Sequence, residues 1–177
     1  MSFSNRGLRG STFEEMINLT NERLRNNSLA IVQKVPTPIT PVAIDKENRT
    51  ITLAYFEKKS TVDYMGVVQG IPICFDAKET QQKSLPVGNI HRHQIDFMAE
   101  FTKHQGIAFM LVNFALYNQF FFLPFKSLKA FWDDAQNGGR KSIPYADFDQ
   151  RYLVEYKGGF LRYLDAINTY LETMGEF

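Results

Sequence analysis

The sequence predicts a mixed α/β domain, and three observations carry that reading. Short apolar runs and alternating stretches fill the middle of the chain, while apolar residues recur at helical spacing towards both ends. At 177 residues and 44% hydrophobic composition, the chain can close one substantial core. Strands clustered centrally with helices around them are expected, and no internal repeat is visible.

The first ten residues hold Arg6, Gly7, Arg9 and Gly10 with few apolar anchors, which reads as a flexible basic arm before a single domain over 11–177. Ser11 or Thr12 can cap a helix with Glu14 or Glu15 three positions on, and Phe13, Met16, Ile17 and Leu24 continue it to Asn26 and Asn27. Leu29 to Val32 suits a buried strand. Pro36, Pro38 and Pro41 then exclude a helix or an interior sheet position, so the chain leaves the core. Asp45 to Arg49 is a polar turn and Thr50 to Phe56 a returning strand, which predicts a protruding ribbon, or stalk, over about 36–56.

Further strands are expected over Asp63 to Val68, Ile71 to Thr80, Ile107 to Phe114 and Tyr117 to Leu123, with turns near Gly66, Gly70 and Asn118. Helices are expected over about Asn89 to His104, from Pro124 to just before Asn137, and over Leu161 to Met174.

Charge and cysteine content narrow the function classes. The formal net charge of +1 means that any nucleic-acid contact must come from a local basic face. Cys74 is the only cysteine, so no intrachain disulfide can form, which fits a reducing compartment. The amino terminus lacks the apolar core of a signal peptide, and no stretch approaches the ~20 apolar residues that span a bilayer. The chain therefore reads as soluble and cytoplasmic.

Side chains two apart on a strand share a face, so Asp76 and Lys78 point together while Phe75 and Ala77 point the other way. The same parity aligns Thr61 with Asp63. If the two strands are hairpin neighbours around Gly66 to Gly70, the carboxylates of Asp63 and Asp76 can converge on one hard cation such as Mg2+, with Lys78 beside it. Phosphodiester hydrolysis needs a deprotonated water and relief of negative charge at phosphorus, and a metal with an adjacent ammonium supplies both. By spacing alone, a surface ion pair between Asp76 and Lys78 with Asp63 in an unrelated turn is the competing reading.

A wider set of motifs occurs in one order: Thr61-x-Asp63-Tyr64-x-Gly66, Phe75-Asp76-Ala77-Lys78-Glu79-Thr80 and His91-x-His93-Gln94. With Ser4 to Gly7, Pro36 to Pro38, Ala54 to Phe56, Phe131 to Asp133 and Asn137 to Ile143, they run over nearly the whole chain. In these residues the sequence resembles the RecU family of Holliday junction resolvases. The resemblance implies a restriction-endonuclease-like PD-(D/E)xK fold and a homodimer that makes paired nicks in four-way junction DNA. It also implies Mg2+, or Mn2+, at one or two ions per active site, and a RecA-type recombinase as a further candidate partner. Matched by position, Thr61, Asp63, Asp76 and Gln94 take the family's metal-site places and Lys78 that of its transition-state lysine. The chain departs from the family at Asp76, where glutamate is usual, and in a shorter 36–56 segment.

Other residues admit two readings. Arg6, Lys34, Lys46 and Arg49 group around the arm and ribbon and can contact DNA phosphates or serve as ordinary solvated charge. Phe56, at the ribbon's base, can stack on a junction base or simply pack. His91 and His93, two apart on a helix, should face different directions. Phe120 to Phe122 and Cys74 read as core, and Glu14 as an accessory acid or a cap. Besides a junction resolvase, a PD-(D/E)xK duplex endonuclease and a catalytically impaired junction-binding or recombinase-modulating protein stay open.

Overall fold

In the computed structural model, which describes residues 7–56 and 61–175 and side chains from Thr12 onward, the chain begins with a helix over Gly7–Asn26 (α1). The helix starts ahead of the expected Ser11 or Thr12 cap, so the last four residues of the expected arm are helical. Arg6 and the rest of the arm lie outside the described residues.

A six-stranded sheet follows the central strands of the sequence. Its members are Ala30–Lys34 (β1), Tyr64–Val68 (β4), Ile71–Thr80 (β5), Ile107–Phe114 (β7), Gln119–Pro124 (β8) and Leu153–Val154 (β10), ordered β1-β4-β5-β7-β8-β10. Ile39–Asp45 (β2) and Thr50–Phe56 (β3) pair separately as the expected ribbon. Pro41 lies within β2, which a two-stranded ribbon tolerates because a strand there has an unpaired side for a residue without an N–H. Expected Tyr117 and Asn118 instead form the turn before β8, with Asn118 at φ 50°.

Every sheet neighbour is antiparallel except β5 and β7. A parallel pair needs a crossover, and the helix Arg92–Lys103 (α2) supplies it, packing on both strands. Phe125–Gln136 (α3) packs beside α2 on the same face, and Tyr163–Met174 (α4) joins α1 on the other. Two cores result. Phe13 and Ile17 of α1 and Tyr163 and Ile167 of α4 pack on Phe75, Phe109 and Phe122. Ile95 and Met98 of α2 and Leu128 of α3 pack on Cys74, Met110 and Phe121. Cys74 and the Phe120 to Phe122 run are core, as their composition suggested.

Small elements were not legible in the sequence. Ser84–Pro86 (β6) pairs with Ser142–Pro144 (β9), and Tyr156–Lys157 (β11) with Phe160–Leu161 (β12). Such two- and three-residue pairings have no periodicity to read. No helix among the described residues is long and apolar enough to cross a membrane.

Candidate active site

The β4–β5 hairpin builds the site. Gln69 and Gly70 both take positive φ, 48° and 89°, which suits the two-residue turn whose twist matches an antiparallel pair. The turn sets Val68 opposite Ile71, and the register continues to Tyr64 opposite Phe75. One step further, Asp63 meets Asp76. Close approach of β1 on the other side depends on Gly66, where a Cβ would lie 2.1 Å from the Ile31 carbonyl oxygen.

The two acids are clasped through each other's backbone. Asp63 N–H donates to Asp76 Oδ1 at 2.8 Å, and Ala77 N–H donates to Asp63 Oδ2 at 3.1 Å. Their sequence neighbours hold the strands from behind: Tyr64 stacks on Phe75 at 4.8 Å and Phe75 on Phe109 at 4.7 Å. The Tyr64 hydroxyl donates to Asn18 Oδ1 of α1 at 3.1 Å. Strand alternation therefore turns Asp76 and Lys78 towards the α2 and α3 side, with Cys74.

Asp76 is fully buried, and its Oδ2 has no hydrogen-bond partner. Lys78 Nζ lies 3.5 Å from that oxygen, an ion pair rather than a hydrogen bond, and its side chain is 19% exposed. Burial pushes the Asp76 carboxyl up to about 6; the Lys78 ammonium opposes this and the Asp63 charge adds to it. Burial also raises the Cys74 thiol to about 12, so it is a packed thiol rather than a nucleophile.

An orphaned carboxylate oxygen beside a second carboxylate is a donor set that fits a hard divalent cation. Among the described residues no group of three or more His, Cys, Asp and Glu could hold a metal ion. A cation at Asp63 and Asp76 would thus draw on neutral oxygens, water or substrate for its other ligands. Thr61 lies two residues before Asp63 and is exposed. Gln94 is buried at the start of α2, where its Oε1 accepts from the His91 N–H at 2.9 Å. That bond caps the helix and leaves the amide oxygen a second lone pair.

The histidine expectation needs correction. His91 precedes α2 in an extended conformation, φ −94° and ψ 147°, so its ring stacks on His93 at 5.5 Å instead of facing away. Glu14 is not a cap, since α1 begins at Gly7; its carboxylate pairs with Lys34 at the end of β1. Lys46 and Arg49 are exposed at the ribbon tip, where the Asp45 carboxylate accepts from Glu47 and Asn48 N–H groups. Phe56, at the ribbon's base, is 74% exposed. Lys46, Arg49 and Phe56 thus sit on the ribbon, whereas Lys34 ends β1 opposite Tyr64, next to Val35, whose N–H donates to the Asp63 carbonyl at 2.8 Å. Sequence reasoning passed over Glu79 and Asn113, whose Oε2 and Nδ2 meet at 2.8 Å across β5 and β7; only the parallel pairing brings them together.

The family model for "Recombination protein U" matches residues 8–169. The chain belongs to the RecU family. It is 41% identical over 174 residues to the Holliday junction resolvase RecU of Pediococcus pentosaceus, covering 95% of this chain and 87% of that protein. The RecU of a Geobacillus species is 41% identical over 150 residues, covering 82% and 75% of the two chains. That of Oceanobacillus iheyensis is 44% identical over 147 residues, covering 81% and 74%. The matched span includes Thr61, Asp63, Asp76, Lys78 and Gln94.

Proposed function

We propose that this RecU-family chain is a structure-selective endonuclease that resolves four-way DNA junctions by metal-dependent phosphodiester hydrolysis in recombination and repair. The observation that carries it is the buried, unpartnered Asp76 Oδ2 held beside Asp63 and Lys78. A mixed sheet bearing acids on adjacent strands supports a PD-(D/E)xK assignment. The relatives named above are Holliday junction resolvases, which supports the junction as substrate.

Asp63 and Asp76, with Thr61 and Gln94, would hold Mg2+ or Mn2+, one or two ions per site. When bound, the cation lowers the pKa of a ligated water and neutralises charge on the phosphoryl oxygens. Lys78 keeps its ammonium at the mouth of the buried carboxylate, positioned to face the charge that develops on the phosphate. Apolar packing behind the hairpin fixes the spacing of the acids, so little reorganisation is needed at the moment of reaction.

Paired nicks need two sites related by symmetry, and a homodimer is the proposed assembly. Its support is the ribbon: Val42, Ile44, Leu53 and Tyr55 are all more than half exposed, more apolar surface than a two-stranded hairpin normally leaves in water. Co-sedimentation with filaments of a RecA-type recombinase tests the remaining proposed partner.

Cleavage of a mobile four-way junction and of a linear duplex, each with Mg2+, is the deciding assay. Junction nicking that disappears in Asp63→Asn is expected, and equal cutting of both DNAs would sink the junction selectivity. A second reading, a junction-binding protein without turnover, is favoured by the shorter Asp76 and its complete burial. Calorimetric titration with Mg2+ or Mn2+ separates the two, since clear metal binding with turnover contradicts it.

A further inference from the structure

Positive charge collects at a place that the proposed site does not use. Residues 80–95 and 135–146 contain Lys83, Arg92, Arg140 and Lys141 and no aspartate or glutamate, in a chain whose formal charge is only +1. Pairing of β6 with β9 joins the two segments, with Ser84 opposite Pro144 and Pro86 opposite Ser142. Beyond the strands, Tyr145 N–H donates to the Lys83 carbonyl and Val87 N–H to the Lys141 carbonyl, both at 3.0 Å. Lys83 and Lys141 therefore stand at opposite ends of one short ribbon.

Leu85 and Ile143 turn inward and are fully buried. By strand alternation Ser84, Pro86, Ser142 and Pro144 point outward, while Lys83 and Lys141, two residues before Leu85 and Ile143, leave the ribbon on the α3 side and stay exposed at its two ends.

Ion pairing sorts the four cations. Arg140 is held by Asp147 at 3.0 Å, and Arg92 lies 3.5 Å from Asp96. Lys83 and Lys141 are exposed and have no acidic partner among the described residues. Lys141 Nζ donates to the Ala135 carbonyl at the end of α3, which fixes the position of the charge without neutralising it.

The ribbon is fastened to the strand that bears Asp76 and Lys78. Thr80, buried at the end of β5, donates from Oγ1 to the Ser84 carbonyl at 3.0 Å and accepts from Gln82 N–H at 3.1 Å. Lys78 is two residues earlier, about 7 Å along the strand. A pinned corner thus joins the acid pair to a short ribbon with an exposed lysine at each end.

We propose that Lys83 and Lys141, exposed at the two ends of the β6–β9 ribbon, form a phosphate-binding track for the duplex arm of the DNA that leads to Asp63, Asp76 and Lys78. The inference rests on the nuclease reading above. Lysine contacts to phosphate oxygens fix the register and orientation of a duplex without reading its sequence. The track is separate from the ribbon of β2 and β3 and grips an arm rather than the junction centre.

Binding of a four-way junction by the full-length protein, measured by fluorescence anisotropy without divalent metal between about 50 and 200 mM salt, tests it. Lys83→Ala should lower the slope of log affinity against log salt by about 1 and weaken binding about fivefold to tenfold. Lys83→Glu should weaken it further, Lys83→Arg should keep it, and the loss should shrink on a junction with arms of only a few base pairs. Lys141→Ala should behave alike, with Lys141→Arg controlling for its contact to α3. A Lys83→Glu protein that melts like wild type and keeps the wild-type slope overturns the track; if that wild type cuts junctions, the nuclease reading survives. A lowered slope in a protein whose wild type cuts no DNA leaves the track and removes the nuclease reading.

Discussion

Asp76→Asn should make the metal-free protein more stable at neutral pH while abolishing metal-dependent cleavage. The folded state raises the Asp76 carboxyl from its ordinary 3.8 to about 6, chiefly by burial. A carboxyl raised on folding contributes its stability below pH 3.8 and loses it as the pH climbs through about 6. Above pH 6 the ionised, buried group therefore costs the fold about 3 kcal/mol relative to its protonated form. An asparagine keeps the shape and can still accept the Asp63 N–H through Oδ1. The attraction to Lys78 is already contained in that raised value, so the expected gain is about 3 kcal/mol at pH 8 and near zero at pH 4. Urea unfolding of wild type and variant in chelator, at several pH values between these limits, measures the difference. Added Mg2+ should then stabilise the wild type alone. A variant less stable than wild type at pH 8, or a difference that does not change with pH, would refute the burial argument.

Three further outcomes follow from the geometry. Gly66→Ala would bring a Cβ to 2.1 Å from the Ile31 carbonyl oxygen and 2.7 Å from Val32 Cα, so β1 must shift. A loss of about 2 to 3 kcal/mol in denaturant unfolding is expected. One residue inserted between Gln69 and Gly70 should slip the β4–β5 register and separate Asp63 from Asp76. Such a protein should lose cleavage even where circular dichroism shows retained secondary structure. Phe56→Ala should leave the melting temperature unchanged because the ring is 74% exposed, yet weaken junction binding by about 1 to 3 kcal/mol if it stacks on a base.

Much of this architecture is local information. The helical spacing of Phe13, Ile17 and Leu24, the prolines at 36, 38 and 41, and the alternation through Thr50 to Phe56 each mark an element by near-neighbour chemistry. The acid pair was legible in part: strand parity and a turn expected around Gly66 to Gly70 let residues 63 and 76 converge, while the structure sets the turn at Gln69 and Gly70 and keeps Gly66 within β4. The stacking of His91 on His93 was not legible, because it depends on where α2 begins, and helix starts are set by capping contacts such as Gln94 to the His91 N–H. Nor was the β6–β9 ribbon, whose three-residue strands have no period and pair across 58 positions of sequence at Leu85 and Ile143.

The sequence by itself determined which residues form the elements, which two carboxylates share a hairpin and, through its motifs, which family the chain resembles. Only the tertiary structure decided how Asp76 behaves. Its parity places it on a strand face, but its complete burial, raised pKa and orphaned oxygen arise because α2 and α3 close over that face and β7 pairs in parallel beside it. Desolvation depends on everything packed around a group, and residues distant in the chain supply most of it.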